Sequence, residues 1–357
     1  MQLKHYQRFI ATLFFKNFLI LFLAMQLFFT GIDLMQNLKS LPGSANLQIL
    51  YSVNIFLNFI NYTLPLSLVF AMLSTVIGLI KSNELVSLYA LGLSKKRLIA
   101  PIFIITTLFT LLYITLNFTP FVKANEISTS IKKHGEVTSR TTGLFLKYFD
   151  TYAYIETLKP LQNLGEGITI FFTTDNDIVE ILHAKSATFS NQYWNLRDVE
   201  RIKKPKIASL HQKDAKLTKL HMEKMEVLKG FRPQIIDNLF KGKSQLTIPD
   251  SIAAINLLKR QKINTDKIRG NLYLMTLFPL FAPLAVLALF YPLPMQRRGS
   301  NLAIVSSGSI LAALLLWGIL FTLAKITLNG SLKPEWGIAF PMLLLLIATL
   351  WIIRRYR

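Results

Sequence analysis

The chain has 357 residues, 52% of them hydrophobic, with 40 lysines and arginines against 19 aspartates and glutamates. The apolar share exceeds that of an ordinary soluble domain, and the basic excess calls for sizeable polar parts beside it. Without cysteine there are no disulfides or thiolate ligands, and His5, His134, His183, His211 and His221 lack the spacing that sets two histidines on one helix face; neither a metal nor another cofactor is expected.

Six apolar segments approach or reach the length of about 20 residues that a helix needs to cross the hydrocarbon core. They fall as three before and three after a hydrophilic middle stretch. The first, residues 9–32, carries Lys16, whose aliphatic stem can lie along the membrane while its ammonium reaches the headgroups. Basic residues ahead of it resemble a secretory leader, but the run is too long and no small-x-small site follows, so a retained span is expected. The second, 55–80, contains Pro65, which neighbouring helices can accommodate.

Between spans two and three lies a polar loop, residues 81–97, that reads as a short helix over about 82–92. Ser82 is placed to cap it, Glu84 sits favourably in its first turn, and Gly92 ends it. Leu85, Leu88, Tyr89 and Leu91 offer apolar and aromatic contacts. Two readings stand side by side. The helix could fit a groove in a cytoplasmic ATPase, with Glu84 paired to an arginine, or lie on anionic lipid through Lys95, Lys96 and Arg97.

After the third span, 98–119, the middle stretch reads as β-rich. Residues 167–173 alternate Ile168, Ile170 and Phe172 with Thr169, Phe171 and Thr173, and a turn over 174–177 leads to a strand at 178–182. Further strands are expected at 144–148, 152–155, 187–189 and 193–199, which together suggest a sandwich or jelly roll. Thr247 and Asp250 then form a helix-start signal for a helix over 250–262. Spans four to six follow at 272–293, 302–323 and 336–353, the last slightly short.

The expected organisation is spans one to three with the loop helix over 1–120, a β-domain over 121–247, a connecting helix over 248–269 and spans four to six over 270–357. Basic residues crowd one set of short loops: Lys4, Arg8 and Lys16, then Lys81 and 95–97, then Arg297 and Arg298, then Arg354, Arg355 and Arg357. The opposite loops offer Lys39, Lys325 and Lys333. Both termini are therefore expected in the cytoplasm and the β-domain outside. None of the 19 acidic residues falls within an expected membrane core. Ion-coupled carriers usually place carboxylates there, so energy for transport would come from a partner.

No site for independent chemistry emerges. Gly242-Lys243-Ser244 resembles the end of a phosphate-binding loop, but Asp237 stands where the first glycine is needed, and a polar loop is the better reading. No serine has nucleophile-elbow context. Neither enzymatic activity nor nucleic-acid binding is expected.

Several segments resemble the lipopolysaccharide export permease family, LptF and LptG. They are Leu64-Pro65-Leu66, Ser82-Asn83-Glu84-Leu85 followed by Ala90-Leu91-Gly92-Leu93-Ser94, and the region of Pro279 and Pro283. Gly143-Leu144-Phe145, Tyr154-Ile155-Glu156, Gly167-Ile168-Thr169-Ile170 and Trp194-Asn195-Leu196 look more like the LptG branch. The resemblance implies a six-span membrane protein with an inserted periplasmic jelly-roll-like domain, in the bacterial inner membrane. It further implies a paired permease, two copies of an LptB-type ATPase, and delivery of lipopolysaccharide to LptC and an LptA-type bridge. Glu84 and the helix through Leu91 and Gly92 then become the ATPase contact.

A phosphorylated, multi-acylated lipid needs apolar walls with cations near the outer interface. Span one offers Phe28, Phe29, Ile32 and Leu34 ahead of Lys39, and span five ends in Lys325. By resemblance Lys39 falls in a basic cluster of the LptG pattern, which Asp33 and Ser40 interrupt here. Aromatic packing and interfacial anchoring by Lys325 are the plainer readings of these residues. Two alternatives of other classes are an enzyme acting on envelope lipid and a membrane-anchored structural or sensory protein whose β-domain binds a ligand.

Overall fold

A computed structural model describes residues 3–137, 140–174, 177–205, 217–233, 235–237, 246–261, 263–294 and 301–356. The expected turn residues Asp175 and Asn176, the Gly242-Lys243-Ser244 loop, and the orienting cations Arg297, Arg298 and Arg357 lie outside those residues. Among the described residues, six helices are long and apolar enough to cross a membrane. They enclose α1 (Leu3–Asn37), α2 (Ala45–Lys81), α4 (Lys95–Leu116), α7 with α8 (Asp266–Thr276 and Phe281–Phe290), α9 (Leu302–Leu328) and α10 (Phe340–Arg355). Shorter helices are α3 (Glu84–Ala90), α5 (Ala124–His134) and α6 (Ile248–Arg260).

The central helix is α2. Of its most apolar window 78% is buried, against 17% for α1 and 11% for α9, so α2 is the strut and those two form the rim. Hydrogen bonds fasten α1 to it at three depths. Asn17 donates to the Thr75 hydroxyl at 2.9 Å. Gln26 donates to the Phe56 carbonyl at 2.6 Å and accepts from the Thr63 hydroxyl at 2.6 Å. Near the C-terminal end of α1, the Tyr51 hydroxyl donates to Asp33 at 2.6 Å. In hydrocarbon such polar groups have no water to fall back on, so satisfied pairs fix which faces meet.

Two spans depart from uniform α-helix. Span four breaks at a 3-10 turn, Phe278–Leu280, because Pro279 and Pro283 remove backbone donors there. Span six opens with a π-helical turn, Glu335–Ala339, and the run from Glu335 to Arg355 gains length over the expected 336–353. Gly337 in that turn lies against Thr327 of α9, and Gly270 of α7 lies near the same threonine. Arg269 pairs with Asp266 and with Glu335, tying the starts of spans four and six.

The insert is one antiparallel sheet of six strands: β1 (Thr141–Tyr148), β2 (Thr151–Lys159), β3 (Leu164–Thr174), β4 (Asp177–Ser190), β5 (Tyr193–Lys203) and β6 (Thr218–Val227). Its inward positions, including Leu144, Ile155, Ile168, Ile170, Leu182 and Leu196, are buried, as the period-two alternation predicts. The strands neighbour one another in chain order, a meander, whereas a two-sheet jelly roll would show crossover neighbours. The sheet's second layer is Phe231, Ile235 and Ile236 with α6, so a helix covers the apolar face that a second sheet would have covered. The indole of Trp194 donates to the Phe231 carbonyl at 2.7 Å beneath that cover.

The expected strands at 178–182 and 187–189 are parts of one strand, β4, paired along both sides. Strand β6 has no apolar alternation because it is an edge strand exposed over most of its length. Its outer face joins a charge ladder in which Lys219 meets Glu200 at 3.0 Å and His221 meets Asp198 at 3.3 Å, with Lys185 on Asp198 at 2.5 Å. These lysines hold both carboxyls below the usual carboxylate range. His183 and His221 flank Glu200 in register, but no metal-holding group of three occurs among the described residues.

Several contacts join the insert to the membrane helices. The Ile248 amide donates to the Asn117 carbonyl at the C-terminal end of α4 at 3.2 Å. There Thr247 caps α6, accepting from the Asp250 amide at 3.3 Å, as the Thr-x-x-Asp signal predicts. Helix α5, which the strand pattern does not anticipate, packs Ile131 against Tyr51 and Ile55 of α2.

A Cβ at Gly337 would overlap the Thr327 hydroxyl, while one at Gly318 would meet nothing within 4 Å. Gly337→Ala is therefore expected to destabilise the protein by about 1–3 kcal/mol through overpacking. Thermal unfolding in detergent should show a lowered midpoint for Gly337→Ala and little change for Gly318→Ala; equal midpoints would contradict the close contact.

Candidate coupling and lipid-contact sites

The loop helix forms as α3, with a different start from the one expected. Ser82 is the C-cap of α2 and its hydroxyl donates back to the Leu79 carbonyl at 3.4 Å, so it does not cap α3. The N-cap is Asn83, in the left-handed region at φ 60°, which turns the chain sharply between the two helices. Glu84 then occupies the first turn, where the helix dipole favours its charge. At the other end the Leu93 amide donates to the Leu88 carbonyl at 3.4 Å and the Gly92 amide to Tyr89 at 2.9 Å. That is a Schellman motif, and Gly92 supplies its left-handed residue at φ 81°.

This geometry divides the predicted residues into two faces. Leu85 is 1% exposed in the membrane-helix core, and Leu88 packs on the same core. Glu84, Tyr89 and Leu91 are exposed, Leu91 at 79%. Beyond Gly92, Leu93 is buried, and the Lys95 ammonium donates to the Tyr291 carbonyl at the end of α8 at 3.2 Å. The seat of α3 is therefore anchored on both α2 and span four, with an acid, an aromatic ring and a leucine facing outward.

The residues nominated for lipid contact fall into two separate places. Phe28, Phe29 and Ile32 are exposed on α1, with Phe28 edge-on to Phe29 and Phe29 stacked on Phe59 of α2 at 5.8 Å. Leu34 packs instead in a small cluster with Tyr51. Lys39 is exposed in a 3-10 turn, Leu38–Ser40, beyond α1. Asp33, which interrupts the basic cluster in sequence, accepts the Tyr51 hydrogen bond.

Lys325 lies elsewhere. Its ammonium sits over the rings of Tyr62 and Phe321, 5.6 and 5.1 Å from their centroids, at the edge of a cavity of about 180 Å³. Asn58, Asn61, Tyr113 and Asn271 also line it, and the Tyr113 hydroxyl donates to Asn61 at 2.6 Å. No charge marks these residues in the sequence; their signal is amides and phenols recurring inside apolar runs. The cavity contains none of Lys39, Phe28, Phe29 or Ile32.

Among curated proteins none matches the chain by sequence. The family model of the lipopolysaccharide export system permease LptF/LptG matches residues 8–355, which takes in all six membrane helices and the sheet between them. The chain belongs to that family: it is a transmembrane permease component of lipopolysaccharide transport in the inner membrane, and ATP is hydrolysed by a separate subunit, LptB.

Proposed function

We propose that the chain is the LptG-type member of a permease pair, with α3 as the helix through which LptB drives it. The observation that carries this reading is the two-faced seat of α3, buried through Leu85 and Leu88 and exposed through Glu84, Tyr89 and Leu91. A helix held only by lipid would need its apolar residues facing the hydrocarbon. Here Leu85 and Leu88 face the protein, and the outward set is what an arginine-bearing groove can take.

In this reading the α3 side is cytoplasmic, with both ends of the chain, and the sheet is periplasmic. The bias of Lys81, Lys95, Lys96 and Arg97 toward that side supports it. The paired permease, of LptF type, covers the rim helices α1 and α9, whose low burial leaves broad apolar faces. Lipopolysaccharide then meets Phe28, Phe29 and Ile32 along its acyl chains, and Lys39 and Lys325 at its phosphates. The sheet passes the lipid to LptC and an LptA-type bridge. LptG is favoured by the Gly143-Leu144-Phe145 and Trp194-Asn195-Leu196 segments.

Two outcomes follow for variants. Glu84→Ala should weaken retention of the ATPase by about tenfold or more, the worth of one charge-assisted hydrogen bond, while the permease still inserts and folds; undiminished copurification and export would sink the coupling role. Lys39→Glu should lower photocrosslinking of lipopolysaccharide to α1 without dissolving the complex. Crosslinking at the parent level would remove Lys39 from the lipid path.

A further inference from the structure

The cavity beside Lys325 is walled by this chain alone, through α2, α4, the start of α5, α7 and α9, so it persists whatever covers the rim helices. Some of its polar groups are spent within the wall. The Tyr113 hydroxyl donates to the Asn61 oxygen at 2.6 Å, and the Asn61 amide donates to the Asn58 carbonyl at 2.8 Å. Others are left over. Asn271 is 5% exposed, yet its amide has only the Met275 sulfur, a weak acceptor, at 3.6 Å, and its oxygen meets no donor. The Tyr62 hydroxyl and the Asn58 amide have no acceptor among the described residues. The Lys325 ammonium rests over the rings of Tyr62 and Phe321 and has no carboxylate within ion-pair distance among those residues.

Chemistry narrows the occupant. An amide without a partner at membrane depth costs several kcal/mol, so the chamber calls for a polar guest. An acyl chain would strand these donors, and a metal cation would meet an ammonium with no carboxylate to hold it. Water serves the amides but brings no charge to set against Lys325. A group with several acceptor oxygens and negative charge answers the ammonium and the neutral donors together. Size agrees. The cavity of about 180 Å³ exceeds the about 150 Å³ that holds a benzene ring, and a phosphate group is smaller than that ring.

We propose that this chamber binds a phosphate group, carried by a lipid headgroup or free in solution, with Lys325 and Asn271 as its principal ligands and Asn58 and Tyr62 as further donors. The proposed function gives Lys325 a lipopolysaccharide phosphate on the strength of its charge. The chamber adds the neutral donors around that charge, and it does not depend on which molecule carries the phosphate. It also stands apart from Lys39, which lies outside the cavity.

The test takes the full-length permease with its copurifying subunits in dodecyl maltoside, a detergent without phosphate. Phosphatidylglycerol, a phosphate-free galactolipid with the same acyl chains, or radiolabelled inorganic phosphate is added, and bound species are read by native mass spectrometry and equilibrium dialysis. The parent should retain phosphatidylglycerol or bind inorganic phosphate, and should release the galactolipid. Lipid that excess inorganic phosphate does not displace marks the headgroup as the source; saturable binding of inorganic phosphate that excludes the lipid marks the free anion. Lys325→Gln, at an exposed position, should weaken retention about tenfold or more, the worth of one charge-assisted hydrogen bond, and Lys325→Arg should restore it. Asn271→Leu, close to the parent in volume, should weaken it about fivefold, the worth of a neutral hydrogen bond. Lys39→Glu should leave it unchanged, which separates this result from that of the lipid path on α1, and both chamber variants should keep the copurifying ATPase. Equal retention of galactolipid and phosphatidylglycerol by the parent would overturn the proposal. So would binding of neither phosphate source, or retention undiminished in both Lys325→Gln and Asn271→Leu.

Discussion

The structure depends most on the hydrogen-bonded fastening of α1 to α2. In hydrocarbon an unsatisfied polar group costs several kcal/mol, so the pairs Asn17 with Thr75, Gln26 with Thr63 and Asp33 with Tyr51 fix the rotation of α1 about its own axis. That rotation decides everything else α1 does. It turns Ile10, Phe14 and Phe18 into the core and leaves Phe28, Phe29 and Ile32 outside. With α2 buried as the strut, the exposed apolar surface is gathered on α1 and α9, where a second membrane subunit or a lipid substrate can use it.

From the same strut, contacts run toward both sides of the membrane. Leu85 and Leu88 seat α3 in the core, and Lys95 binds the Tyr291 carbonyl at the end of α8. Span four continues through its proline break to α7, whose Ile268 belongs to the same apolar core as α6 and the sheet. A displacement of α3 would therefore meet packed residues at each step toward the sheet, with the 3-10 turn at Phe278–Leu280 the place where the rod can bend. If α3 takes the coupling role proposed above, these contacts supply the physical route from the ATPase to the sheet.

Much of the fold was legible because hydrophobic length and alternation are strong signals. The six spans and five strands appear where the pattern puts them, and Thr247 with Asp250 starts α6 as expected. Other features were hidden for physical reasons. Edge strand β6 buries almost nothing, and α5 is short and mixed in composition, held by contact with α2 rather than by its own periodicity. The jelly-roll expectation lacked one piece of information: a sequence of short strands does not reveal that a helix, α6, will supply the second layer. At the site, Gly92 was readable as a terminator because its conformation is local. The Asn-rich cavity beside Lys325 was not, because it assembles amides from four distant helices.

The measurement that tests the account most directly uses the absence of native cysteine. Single cysteines replacing Leu91, 79% exposed, and Leu85, 1% exposed, can be crosslinked in the membrane to a cysteine-bearing ATPase subunit. The account predicts efficient crosslinking from position 91, altered by ATP, and almost none from position 85. Absence of crosslinking from position 91, together with its modification by a membrane-impermeant thiol reagent from the periplasmic side, would contradict it.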